Sequence, residues 1–198
     1  VAETDSEKAN ALEKFFSSVF TIEEDFDFEV LPIKIIKKPL EEIDITLEMI
    51  KSKLDKLKID KSAGADQLYP RVLYEAREEV AVPLLMIYNK SITSGRLPDD
   101  WKIADVIALY RKGSRSELGN YRPVSLTSIC CKIMESLLRD HIMQHLLVNK
   151  LLSSSQYGFV KGRSTMLQLL QVLDKWTEYL ETGGQIDAVY TDFEKAFD

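Results

Sequence analysis

An acidic side chain near the end of the sequence carries the first chemical possibility. Residues Ile186 to Phe193, IDAVYTDF, read as a strand, and alternation places Ala188, Tyr190 and Asp192 on one face. A carboxylate at the end of an apolar strand can hold a divalent cation above a rigid sheet, as two-metal phosphoryl transfer requires. The structural alternative is that Asp192 and Asp198 cap a helix around Glu194 to Phe197. Compact basic groups lie upstream. Arg111, Lys112 and Arg115 surround a glycine-marked turn, and Lys161 and Arg163 sit in the run Gly158 to Ser164. Such cations suit phosphate oxygens, or are simply solvated. The run GFVKGRS fails as a Walker phosphate loop, because its glycines are too close and Arg163 stands where lysine is needed. Cys130, Cys131, His141 and His145 raise the question of zinc. Adjacent cysteines are an unusual chelating pair and no finger spacing is present, so core cysteines and surface histidines are expected.

Composition bounds what can position these groups. The 198 residues, 45% hydrophobic and 29% charged, suffice for one large domain or a domain with a tail, with ample core material. The net charge of −6 argues against a wholly basic nucleic-acid binder. The acidic excess, however, is concentrated at the N-terminal end, at Glu3, Asp5, Glu7 and in the run from Glu23 to Glu29, and local charge decides contact with phosphate. No apolar run approaches the ~18 residues of a membrane span, and no signal-peptide pattern opens the chain. With two adjacent cysteines unsuited to bridging each other, an intracellular protein is expected, nuclear or cytoplasmic, neither membrane-bound nor secreted. The first residue is Val1, so the numbering is expected to begin inside a longer product.

Periodicity places the elements. Ser6 to Phe20 reads as a helix capped by Ser6, with Leu12, Phe15, Phe16 and Val19 as its stripe. An acidic loop and a proline-marked extended connector follow, to about residue 40. A helix starts at Thr46, with Ile50, Leu54 and Leu57 at helical spacing. Gly64 and Pro70 break it, and one long helix is expected from Arg71 to about Ser94, stopped by Gly95. Strands are expected at Trp101 to Tyr110 and Tyr121 to Leu126, and helices at Ile129 to Leu147 and Met166 to Leu180.

Several segments carry a family resemblance. VYTDFEKAFD, Val189 to Asp198, resembles the first palm motif of reverse transcriptases from non-LTR, LINE-type retrotransposons, in the jockey-like branch. NYRPVSLTS, Asn120 to Ser128, and SQYGFVKGRST, Ser155 to Thr165, are similar to finger motifs of that family, in the same order. DKSAGADQLYPRVL, Asp60 to Leu73, resembles its leading motif, and ADVIALYRKG, Ala104 to Gly113, its basic finger strand. EKANALEKFFSSVFT, Glu7 to Thr21, is similar to the segment between endonuclease and polymerase. The chain departs from the pattern where Ala63, Ala65 and Ala108 replace prolines and Gln67 replaces a glycine.

The resemblance implies an α+β fold: the fingers and partial palm of a right-hand polymerase, mostly helical with a few short strands. Residues 1–45 would be a linker between endonuclease and polymerase regions, and residues 46–198 the N-terminal part of the reverse transcriptase domain. The implied activity is RNA-directed DNA polymerisation with Mg2+, using RNA template, DNA primer and deoxynucleotides. The resemblance gives Asp192 the catalytic metal-binding role, with the Phe193 carbonyl as a further ligand. Arg122 and Lys112 would contact the incoming triphosphate, and Phe197 would lie under its sugar and exclude a 2′-hydroxyl. Lys61, Lys161 and Arg163 would face the template. A second aspartate motif is expected beyond Asp198, so the two-metal site is expected to be only partly present and this chain alone not to polymerise. The alternative is a catalytically inactive remnant that at most binds RNA, or a helical interaction fragment.

Overall fold

Apolar residues at helical spacing around Ile50 and Leu54 set the centre of the molecule. The computed structural model describes residues 3–20, 36, 38–40 and 42–192. In chain order it shows α1 (Asp5–Ser17), α2 (Leu47–Leu54), α3 (Pro70–Glu75) and α4 (Arg77–Ser94). Next come β1 (Asp105–Tyr110), β2 (Tyr121–Leu126), α5 (Ile129–Val148) and α6 (Thr165–Glu181). The class is α+β: mostly helical, with one antiparallel pair of strands among the described residues.

The core forms where α2, α4 and α5 bring their apolar stripes together. Ile50 and Leu54 of α2 are fully buried among Leu84 and Tyr88 of α4 and Ile133 and Leu137 of α5. Each such side chain contributes about 1.5–3 kcal/mol by leaving water. Tyr88 brings a polar atom inside, and its hydroxyl donates to the Cys130 carbonyl at 2.8 Å. Its ring meets Trp101 edge-on at 5.8 Å. Thr46 caps α2 by accepting from the Met49 N–H. Gly95 ends α4 in the left-handed conformation that glycine adopts without strain.

Several expected elements differ. The cap of α1 is Thr4 rather than Ser6, because Thr4 has Glu7 three residues on and the pair forms a reciprocal capping box. The single helix expected from Arg71 is two helices. Ala76, at φ −95° and ψ 21°, breaks the α-helical path between them. The strand expected from Trp101 starts only at Asp105, since Asp99–Lys102 winds into a 3-10 turn. The strand expected from Ile186 is absent over the described residues 186–192. A strand exists only by pairing, and among the described residues no strand pairs with this segment. The acidic run Glu23 to Glu29, most of the connector after it, Phe193 and Phe197 lie outside the described residues.

The loop between α2 and α3 holds a residue in unusual geometry. Gln67, at a position where the resembled family carries glycine, has φ +56°. A side chain there costs on the order of 1 kcal/mol against the left-handed backbone. Gln67→Gly should therefore raise stability by about 0.5–1 kcal/mol, after the entropy that glycine adds to the unfolded chain. A melting temperature about 1–4 °C higher is the expected readout. A lower one would show that the weak Gln67 Nε2 contact to the Gly64 carbonyl, at 3.4 Å, matters more than the backbone.

Candidate functional site

The β1–β2 hairpin carries the basic groups singled out in the sequence. Its register pairs Leu109 with Arg122, Ile107 with Val124 and Asp105 with Leu126 on one face. The opposite face pairs Tyr110 with Tyr121, whose rings lie 5.6 Å apart. The ladder continues one step into the turn, where the Arg111 N–H donates to the Asn120 carbonyl at 2.9 Å.

The connecting turn braces itself. The Tyr110 hydroxyl donates to the Gly113 carbonyl at 2.5 Å, and the Tyr121 hydroxyl to the Arg115 carbonyl at 2.9 Å. Asn120 Nδ2 reaches the Ser114 carbonyl at 2.8 Å and Glu117 at 3.1 Å. The Arg115 guanidinium lies 5.1 Å over the Tyr110 ring. Lys112 and Arg122 take no part in this bracing. Both are exposed, and among the described residues no hydrogen bond or ion pair holds either side-chain cation. The α1 helix lies against the turn, with the Phe15 ring 3.9 Å from where a Cβ on Gly119 would stand.

Arg163 has a different setting. Its Nη1 donates to the carbonyls of Ser154 at 2.7 Å and Gln156 at 2.5 Å. The guanidinium also lies 5.2 Å over the Tyr157 ring, while Tyr157 bonds onward to Gln171 of α6. This arginine shapes the loop from 153 to 163, and Lys161 projects from that loop without a partner among the described residues.

Asp192 is exposed at the last described position. Among the described residues no group of three or more histidine, cysteine or acidic side chains could hold a metal ion. Burial, the largest cause, pushes the thiols of Cys130 and Cys131 up to about 11, so both are protonated near neutral pH. The fold thus brings Arg122 and Lys112 onto one hairpin, and among the described residues it gathers no metal-holding group of acids at Asp192.

Sequence reasoning passed over four lysines. Lys53 and Lys56 from α2 and its exit, Lys58 from the following loop, and Lys132 from α5 line one cavity of about 520 Å³ together with Lys61. The segment KSKLDKLKIDK, Lys51 to Lys61, advertised part of this cluster as a local run of cations. Only the packing of α5 could add Lys132.

No family model matches the chain. It is 30% identical over 155 residues to the RNA-directed DNA polymerase from mobile element jockey of Drosophila melanogaster, covering 78% of this chain and 17% of that protein. It is 30% identical over 169 residues to the probable RNA-directed DNA polymerase from transposon BS of the same species, covering 85% and 18%. A retrovirus-related Pol polyprotein from type-1 retrotransposable element R1 of Bradysia coprophila is 25% identical over 139 residues, covering 69% and 14%. The chain thus spans less than a fifth of the length of the curated relatives it matches. It is thus similar to a segment of the RNA-directed DNA polymerases of non-LTR retrotransposons. Among them are the jockey-like elements, matched over about four-fifths of its own length.

Proposed function

We propose that residues 46–198 form the N-terminal part of a reverse transcriptase domain, its fingers and the start of its palm. The enzyme would extend a DNA primer along an RNA template with deoxynucleotides, in an intracellular compartment, nuclear or cytoplasmic. Residues 1–45 would lie between endonuclease and polymerase regions. No helix among the described residues is long and apolar enough to cross a membrane.

The observation that carries this reading is the self-braced hairpin with two unpaired cations. The braced hairpin sets the backbone at Lys112 and Arg122, and among the described residues neither charge is paired with an anion. An arginine fork and a lysine point charge suit phosphate oxygens that gain charge in the transition state. On this reading the two residues bind the incoming triphosphate. Lys61 and Lys161 face the template, and Arg163 contributes first by fixing the loop that presents Lys161.

Asp192, with the Phe193 carbonyl, would supply donors to Mg2+, which when bound would stabilise charge on the transferring phosphate. The described residues offer one exposed carboxylate there and no set that could hold the ion alone, so further donors would have to come from elsewhere in the polymerase. Phe197 would exclude a 2′-hydroxyl from the nucleotide site.

The test is single-nucleotide primer extension by the full-length polymerase carrying Arg122→Gln or Lys112→Gln. A charge-assisted hydrogen bond to phosphate is worth about 1.5–3 kcal/mol, so without it the KM for deoxynucleotide should rise about tenfold or more. Both side chains are exposed and without a partner among the described residues, so stability should stay within about 0.5 kcal/mol of wild type. An unchanged KM in both variants would remove the nucleotide assignment.

A further inference from the structure

The tip of the β1–β2 hairpin carries a hydroxyl that the reading above does not use. We propose that Ser114 is a phosphate-acceptor site for a protein kinase directed by basic residues, and that phosphoserine there draws Lys112 onto itself and switches off the nucleotide contact. The acceptor site rests on the turn alone; its effect on nucleotide rests on the triphosphate reading.

The charge pattern around Ser114 is one-sided. Arg111 and Lys112 precede it by three and two residues, and Arg115 follows it directly, in the run RKGSRSE. Kinases select their serine by such patterns of charge. Every residue from Arg111 to Glu117 is exposed. Among the described residues no ion pair holds Arg111, Lys112 or Arg115. The acid of the run, Glu117, accepts instead from Asn120 Nδ2 at 3.1 Å.

The turn is braced through its main chain. The carbonyls of Gly113, Ser114 and Arg115 accept from Tyr110, Asn120 and Tyr121. Among the described residues the Ser114 hydroxyl meets only Ser116. It lies 2.7 Å from the Ser116 hydroxyl and accepts from the Ser116 N–H at 3.3 Å. An ester oxygen can still accept that N–H, so a phosphoryl group on Ser114 leaves the braces in place. Ser164 makes the contrast. Lys161 and Arg163 precede it by three and one residues. Its hydroxyl, however, caps α6 by accepting from the Leu167 N–H at 3.2 Å, and Arg163 is held by two carbonyls.

The phosphoryl donor is ATP, brought by the kinase. The bond from Ser114 Oγ to the γ-phosphorus forms while the bond from that phosphorus to the β,γ-bridging oxygen breaks. ADP leaves, and the hydroxyl proton passes to a carboxylate base of the kinase. The product carries a charge of about −1.5 to −2 at neutral pH and three acceptor oxygens. It stands two residues from Lys112 and beside Arg115, where those cations have no other anion among the described residues. Lys112 then pairs with the internal phosphate, and an incoming triphosphate meets like charge.

The experiment starts with the 198-residue chain, ATP and the purified catalytic subunit of cAMP-dependent protein kinase. Tandem mass spectrometry should place the phosphate on Ser114. S114A should melt with the wild type and lose incorporation, while S116A and S164A keep it. R111Q should lower the kinase kcat/KM about tenfold, as the loss of one charge-assisted contact does. No incorporation, or incorporation at Ser116 or Ser164 in place of Ser114, overturns the acceptor site. In a phosphorus NMR titration the phosphoserine should lose its second proton about 0.5 below its ordinary pKa of about 6, because nearby cations favour the dianion. K112Q should return it toward the ordinary value. A titration that K112Q leaves unmoved overturns the capture of Lys112.

In the full-length polymerase, phosphorylation at Ser114 should raise the KM for deoxynucleotide about tenfold. S114A treated with the same kinase should keep the wild-type KM. If the phosphorylated enzyme keeps its KM while K112Q raises it, the switch is overturned and the triphosphate reading stands. If K112Q and R122Q both leave KM unchanged, the triphosphate reading falls and the switch with it. The mapped phosphate and its titration then still uphold the acceptor site.

Discussion

In a full-length polymerase carrying this segment, Asp192→Ala should lower primer extension by on the order of 10³-fold or more, since metal stabilisation of the reacting phosphate is worth several kcal/mol. RNA affinity should stay at the wild-type value. The separation follows from where Asp192 sits. It is exposed, makes no ion pair among the described residues, and lies beyond the helices that form the core. Its loss therefore costs the fold little, about 0.5 kcal/mol at most. The proposed template contacts lie elsewhere, at Lys61, Lys161 and Arg163, and they are cationic rather than acidic. Removing a carboxylate leaves those contacts and their salt dependence alone. Asp192→Asn should lose nearly as much activity as Asp192→Ala, because the amide keeps the shape but not the charge a hard cation needs. Asp187→Ala, which removes an exposed acid five residues earlier, should extend primers normally. Normal extension by the Asp192 variant would sink the metal-ligand assignment. A parallel loss of RNA binding would mean that Asp192 holds structure instead.

What the sequence revealed and what it hid divide along physical lines. The β2 strand was legible to the residue, because Tyr121 to Leu126 is bounded by a turn and a helix cap. The Gly95 stop and the Thr46 cap were also plain, since each is decided by two or three neighbouring residues. The Thr4 cap was equally local, and its signal was the Glu7 three residues on, which Ser6 lacks. The break at Ala76 carries no glycine or proline to announce it. The strand expected at residues 186–192 depends on an edge to pair with, which no local pattern reveals. The same holds for the site. Lys112 and Arg122 could be named only through the family resemblance of their segments, and the register puts them on one hairpin. That Arg163 is engaged with two carbonyls of its own loop could not be read from its neighbours. Nor could the meeting of Lys132 with Lys56 and Lys58, which line the same cavity from more than seventy positions away in sequence.

Gly64→Ala should destabilise the chain by about 3 kcal/mol, at the upper end of the cost of overpacking. A Cβ on Gly64 would stand 2.6 Å from the carbonyl carbon and oxygen of Thr127 and 2.7 Å from the Ser128 nitrogen. Those are main-chain atoms, so no side chain can swing away to make room. They also belong to the junction where β2 turns into α5. Ser128 there is buried to 1% exposure and caps the helix, its hydroxyl accepting from the Cys131 N–H at 3.5 Å. Relief must therefore come from moving the whole loop from 60 to 70 away from the sheet. That motion would shift Lys61 and Ser62 relative to Lys132 and open the lysine cavity. The melting temperature should fall by about 6–12 °C for a chain of this size. The contrast with Gln67 three residues on is a physical one. At Gln67 the backbone angle is at fault and glycine relieves it; at Gly64 the angle is ordinary and the missing Cβ makes space for another chain segment. The two substitutions should thus change stability in opposite directions. Wild-type melting of Gly64→Ala would mean that the loop yields without cost and does not brace the cavity.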